Sequence, residues 1–332
     1  MHTKYLALFI VFLLCSLPCT TAMSQERAKP RNGEGVSTFL QRFGYTSRAA
    51  QQEFMELNKG KFTRDGGLIL GRSYRLPTGK KGKKAGRGRT SVTEPLFGPA
   101  LQTVKVQSRE LDGACLYLVS GHGGPDPGAI AKVGGRELHE DEYAYDIILR
   151  LARSLMAHGA KVHIIIQDKK DGIRDDRYLD NSERETCMGD PIPLDQVARL
   201  QQRCDAIDRL ARKDKEKYKR SIFIHVDSRG KKDQVDVFFY HCPGSKNGKR
   251  LAENIHRTFE RKYDKHQPNR GFRGTVSERK LYVLANSNPP AAFLELGNLQ
   301  NARDRKRLVL ASNRQALADW ICEGIAKDFK NN

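Results

Sequence analysis

Residues 114–131 read ACLYLVSGHGGPDPGAIA, an apolar run that ends in a histidine framed by glycine and proline. ACLYLVS has the length and side chains of a buried strand. The loop behind it is too stiff and too poor in side chains to serve packing. The segments beyond the loop fix the architecture. EDEYAYDIILRLARSLMAHG (140–159) places Ile147, Leu151 and Leu155 on one helical face and ends at Gly159, and AKVHIIIQD (160–168) is a second apolar strand. Strand, helix and strand at this spacing make a βαβ unit.

The pattern continues to the C-terminus. RSIFIHVDS (220–228), VDVFFYH (235–241), KLYVLANS (280–287) and AAFLELGN (291–298) read as strands. A helix is predicted over about 195–212, another in SKNGKRLAENIHRTFERKY (245–263), and helical pattern fills 301–329. The fold class is α/β, a single mixed sheet flanked by helices, over residues 112–332.

Four segments precede it. MHTKYLALFIVFLLCSLPCTTA (1–22) has Lys4, a short apolar run and small residues before a cleavage point, which is the pattern of a signal peptide. Residues 23–32 are polar and expected to be loose. Residues 33–77 carry two short helical patterns, around Phe39, Leu40 and Phe43 and around Phe54 and Leu57, closed by LILGRSYRLP as a strand. TGKKGKKAGRGRT (78–90) can bury little, so residues 78–111 are expected to be a flexible basic linker.

The chain has 59 Lys and Arg against 39 Asp and Glu, a net charge of +20. Loss of residues 1–22 removes Lys4 and leaves +19. For an exported chain, this charge points to anionic envelope polymers and weak contact with an anionic envelope surface, not to nucleic acid. Five cysteines remain after cleavage, with no C-x-x-C pair and no spacing that indicates a disulfide.

Two histidines stand where apolar strands turn polar, His122 in GHGG and His225 in SIFIHVDS. Strand ends are where α/β sheets build sites. Two imidazoles and one carboxylate suit a catalytic Zn²⁺ with a position left for water. Glu137, Glu140, Asp141 and Glu142 all compete to supply the carboxylate. Glu295 lies within AAFLELGN between two leucines, and burying an acid there raises its pKa toward the range useful in proton transfer.

GHGGPDPGAIA, EDEYAYDIILRLA, SIFIHVDS and PPAAFLELGNLQNARDRKRL occur in the order seen in zinc-dependent N-acetylmuramoyl-L-alanine amidases, and the chain resembles that AmiC-like family over about 114–328. The resemblance implies that His122, Glu140 and His225 hold Zn²⁺, with Glu137 as the fallback, and that Glu295 is the catalytic acid–base. It implies hydrolysis of the bond between N-acetylmuramic acid and L-alanine in peptidoglycan (murein), in the periplasm. Arg203 and Ala206 match a further family helix. Departures are Val119 and Ser120 for Asp-Pro, Asp227 and Asp208 for asparagines, and Asn298 for a phenylalanine. Residues 33–77 resemble a degenerate LysM module, a small α+β unit that binds peptidoglycan glycan. Some relatives carry an inserted helix that plugs the site until a protein activator removes it. Here only the polar stretch 168–194 is long enough to shield the cleft. Rival readings are another zinc-dependent wall peptidase, such as a carboxypeptidase, and a non-catalytic wall-binding protein.

Overall fold

The computed structural model describes residues 25–31, 34–45, 47–63, 66–78, 90–227, 234 and 236–332. The chain divides into two compact units, Met1–Gly88 and Arg89–Asn332. The predicted signal peptide and most of the basic run at 78–90 lie outside the described residues.

In the first unit, helices Val36–Arg42 and Arg48–Leu57 stand between two short strands, Arg27–Ala28 and Tyr74–Arg75, which pair antiparallel. Phe39, Phe54 and Tyr74 form its core, with ring centroids 5.6–6.0 Å apart. Ser47 caps the second helix by accepting from the Ala50 N–H. Asn58 ties that helix to the closing strand: its amide donates to the Phe54 and Arg75 carbonyls and accepts from the Arg75 N–H. Two expectations change here. Residues 27–28 are a strand, because Tyr74–Arg75 needs a partner for its backbone groups. The closing strand is only those two residues, since Gly66 and Gly71, at φ of 82° and 81°, turn the chain before it.

The second unit holds a six-stranded sheet. Its strands are β1 (Ala114–Ser120), β2 (Lys161–Ile164), β3 (Tyr218–Asp227), β4 (Phe238–His241), β5 (Thr275–Glu278) and β6 (Ala291–Asn298). Their spatial order is β5-β4-β6-β3-β1-β2. Strands β2, β1, β3 and β6 run parallel, and β4 and β5 run antiparallel to β6, so the predicted mixed sheet is present. The helices are α1 (Glu140–Ala157), α2 (Gln196–Lys213), α3 (Lys246–His266), α4 (Tyr282–Asn286), α5 (Ala302–Val309) and α6 (Ala311–Lys330).

Alternation along β1 sends its side chains into two cores. Leu116 and Leu118 join α1, α3 and α6 on one face. Cys115, Tyr117 and Val119 join α2 and α4 on the other. Each apolar residue on either face removes roughly 1.5–3 kcal/mol of side chain from water.

Two further predictions are corrected. Residues 282–286 form α4 and not a strand, because a short apolar run has no period that separates strand from helix, and Val283 and Leu284 bury against the α2 face. The predicted linker ends early. Ser91–Thr93 and Thr103–Lys105 pair as a hairpin, and Phe97, Val104 and Leu111 are buried in the first core. Those three apolar residues override the basic composition upstream.

The stretch 168–194 is tied down by buried charge. Arg314, fully buried, donates to Asp146 at 2.5 Å, to the Leu308 and Arg174 carbonyls at 2.6 Å each, and to the Asp176 carbonyl at 3.0 Å. Arg314→Met leaves these acceptors without their cation. It should cost about 3–5 kcal/mol, read as a lower urea midpoint, and proteolytic cleavage should begin near residues 174–176.

Candidate metal centre

His122, Glu140 and His225 meet although 103 residues separate the first from the last, and one donor atom from each lies within 4.8 Å of the others. His122 follows β1, Glu140 opens α1, and His225 sits near the end of β3. Glu140 lies between the rings: Oε2 is 3.4 Å from His122 Nε2 and Oε1 is 3.0 Å from His225 Nδ1. Each oxygen also accepts one backbone N–H at 2.9 Å, from Ala129 and from Val226. The carboxylate is thereby fixed from four directions. Burial alone would raise its pKa, but the hydrogen bonds from the two histidines hold it well below the usual range. Burial opposes the charge on His122 too, yet Asp126 and Glu140 carry that ring up to about 10. His225 is lowered, because its burial outweighs Glu140.

Glu295 joins by register. In the parallel β3–β6 ladder it is the partner of His225, and on the other side it pairs with Phe238 of β4. Two residues earlier, Phe293 stacks under the His225 ring, with centroids 4.3 Å apart. Glu295 Oε2 is buried without a hydrogen-bond partner. Burial first, and then Glu140 and Asp227, raise its pKa well above 4.5.

Sequence reasoning gave Asp126 no role, and the structure gives it one. Its Oδ2 is 2.8 Å from His122 Nδ1 and 2.7 Å from Arg199. That contact fixes which ring nitrogen of His122 faces Glu140. A carboxylate four residues past the histidine, in a loop with no other acid, was the available signal. Arg203 donates to the His122 carbonyl, where the chain holds a φ of 64°. Such a conformation in a non-glycine residue costs on the order of 1–3 kcal/mol and persists only where surroundings impose it. Glu137, the fallback ligand, is exposed and pairs with Lys132 at 2.9 Å, so it takes no part. Stretch 168–194 packs behind the loop, where Glu185 accepts from the Gly124 N–H, and it does not line the groove of about 170 Å³ that opens over His122, Arg203 and Phe293.

A family model described as N-acetylmuramoyl-L-alanine amidase matches residues 116–327. The chain belongs to that family. The enzyme hydrolyses the amide between N-acetylmuramic acid and L-alanine in peptidoglycan. It is 26% identical over 229 residues to the germination-specific N-acetylmuramoyl-L-alanine amidase of Bacillus subtilis (strain 168), covering 68% of this chain and 84% of that protein. Among solved structures it is similar to the amidase AmiC2 of Nostoc punctiforme (22% identity, 66% of this chain, 98% of that one, TM-score 0.47). It is also similar to an amidase from Clostridium difficile 630 (20% identity, 66% and 98%, TM-score 0.49).

The cluster leaves no room for a side chain at its two glycines. A Cβ at Gly121 would collide with the His225 ring, and one at Gly128 would come within 2.6–2.7 Å of His122 and Glu140. Gly121→Ala should lower amidase turnover about 100-fold by displacing that ring, with the thermal midpoint little changed; turnover and thermal scans check both.

Beside Glu140, burial and then the charges of Glu142 and Glu185 push Asp141 up to about 9, and burial pushes Glu142 up to about 7 despite Arg174. Unfolded, both would lose their protons near pH 4. The folded chain therefore holds protons that the unfolded chain lacks, and stability should fall as pH rises from about 4 toward 9. Chelator-treated enzyme should give a lower urea midpoint at pH 9 than at pH 5, and Asp141→Asn should flatten the difference.

Proposed function

We propose that the enzyme is a zinc-dependent murein amidase in which His122, Glu140 and His225 hold the metal and Glu295 is the acid–base. The observation that carries this reading is the Glu140 carboxylate set between two imidazoles beside the unpartnered Glu295 oxygen. Two nitrogen donors and one oxygen donor are the set a catalytic zinc takes, and Gly121 and Gly128 keep the space around them clear. Bound there, zinc would polarise the scissile carbonyl and bring the pKa of a water toward neutrality.

The chain's own residues do the rest. Asp126 and Arg203 hold His122 in ring orientation and backbone position. Glu295 takes a proton from the attacking water and returns it to the leaving nitrogen of L-alanine. Burial of Glu295 keeps that proton on the carboxyl between the two transfers. Phe223, Phe293 and Tyr282 give the groove apolar walls, and Arg199 lines it while paired with Asp126.

The first unit, with its βααβ order, fits a LysM-like module that keeps the enzyme on glycan. Export to the periplasm agrees with residues 1–22 and with the net charge of +20. A cavity of about 640 Å³ lined by Arg270, Arg273, Arg303 and Lys306 favours residence on an acidic envelope.

Glu295→Gln should lower murein hydrolysis by at least about 100-fold while metal content and thermal midpoint stay as in the parent. His122→Ala should lose the ion of this cluster and the activity. Mass spectrometry of digested murein should find whole stem peptides freed from glycan; shortened stems would replace the amidase with a peptidase.

A further inference from the structure

A second cluster of metal-ligating side chains lies at the opposite end of the sheet, where β1, β2 and β3 begin and α2 ends. Cys115, His163 and Asp214 each place one donor atom within 4.8 Å of the others. Cys115 and His122 lie seven positions apart along β1 and its end, up to about 23 Å. Nothing in the amidase reaction uses this cluster.

The residues arrive there by register. Cys115 pairs with Lys161, and Tyr117 with His163, in the parallel β1–β2 ladder, so all four point to the α2 face. Asp214 is the C-cap of α2 and swings its carboxylate onto them. Asp214 Oδ2 lies 3.3 Å from Cys115 Sγ, 2.9 Å from His163 Nε2 and 2.7 Å from Tyr117 Oη, while Lys161 Nζ holds Oδ1 at 2.5 Å. A carboxylate oxygen offers about two lone-pair sites. Three donors on Oδ2 are one too many, and the excess ends if sulfur and nitrogen present lone pairs to a shared cation instead.

The spacing supports that reading. In tetrahedral coordination with metal–sulfur and metal–nitrogen or –oxygen bonds of about 2.3 and 2.0 Å, the donors stand about 3.3–3.5 Å apart. The sulfur–oxygen and nitrogen–oxygen separations here are within a few tenths of an ångström of this, as are the 3.0 and 3.4 Å separations around Glu140. The flanking groups are those of a metal site. Tyr117 and Lys161 stay on the carboxylate, and the Tyr117 ring stacks on His163 at 5.4 Å and 8°, which fixes the imidazole. His163 and Lys161 are partly exposed, so water has a route to a fourth position.

We propose that Cys115, His163 and Asp214 bind a second, structural divalent ion of the zinc class. Thiolate, imidazole and carboxylate select zinc or its substitute cobalt over magnesium or calcium. The thiol proton passes to solvent on binding. The ion pins the C-terminal end of α2 to the sheet, more than two turns from Arg203, so its role is in stability.

The test uses the full chain loaded with zinc, and separately with cobalt, after removal of excess metal. The parent should hold two ions per chain and show a thiolate-to-cobalt absorption band, which the sulfur-free catalytic cluster cannot give. Cys115→Ser should hold one ion, lose the band, melt lower in zinc, and keep its amidase turnover. His122→Ala should also hold one ion but keep the band, so failure of the catalytic assignment reads differently from failure of this one. Should Cys115→Ser not fold, His163→Gln gives the same readout. One ion in the parent with no sulfur band, or two in Cys115→Ser, would overturn the site and leave a hydrogen-bond hub around Asp214.

Discussion

One carboxylate has to be ionised, buried and held between two imidazoles before anything else in the second unit has a purpose. Glu140 meets that demand because α1 begins where the chain returns from the glycine loop, so its first side chain faces the ends of β1 and β3. An isolated buried carboxylate would be protonated. Here two rings and two backbone N–H groups favour the anion, His122 and Ala129 from the glycine loop and His225 and Val226 from β3. The charge state of the site is thus a property of the fold as a whole.

The same helix start shows how local environment divides like residues. Glu140 is ionised between histidines, Asp141 keeps its proton because it is buried near Glu142 and Glu185, and Glu142 is bound by Arg174 at 2.8 Å. Arg174 in turn lies within a frame in which Arg314 and Arg150 share Asp146. A polar stretch is thereby fastened behind the glycine loop. Rigidity of the site is supplied from below.

Much of this was legible in the sequence, and the limits have physical causes. The βαβ unit, both histidines and Glu295 stood out because strand ends and an acid within an apolar run are rare patterns. The choice of Glu140 among four neighbouring acids needed the family, since composition does not reveal which side chain turns inward. Asp126 was visible but had no partner until the loop was folded. Residues 280–287 were misread because seven or eight residues carry too little periodicity. Residues 91–111 were misread because three apolar side chains decided what the lysines and glycines before them concealed. Residues 27–28 had no signal of their own, as a strand of two residues is defined by its partner.

His122 sits in a left-handed backbone conformation that glycine adopts freely and histidine does not. With the metal-binding role proposed for His122, the position is one where fitness for folding and fitness for catalysis pull apart. A lineage released from the need to cut murein would gain robustness by drifting to glycine or asparagine there. On the proposed role, persistence of histidine at that spot would mark, among its descendants, the chains still under selection for hydrolysis.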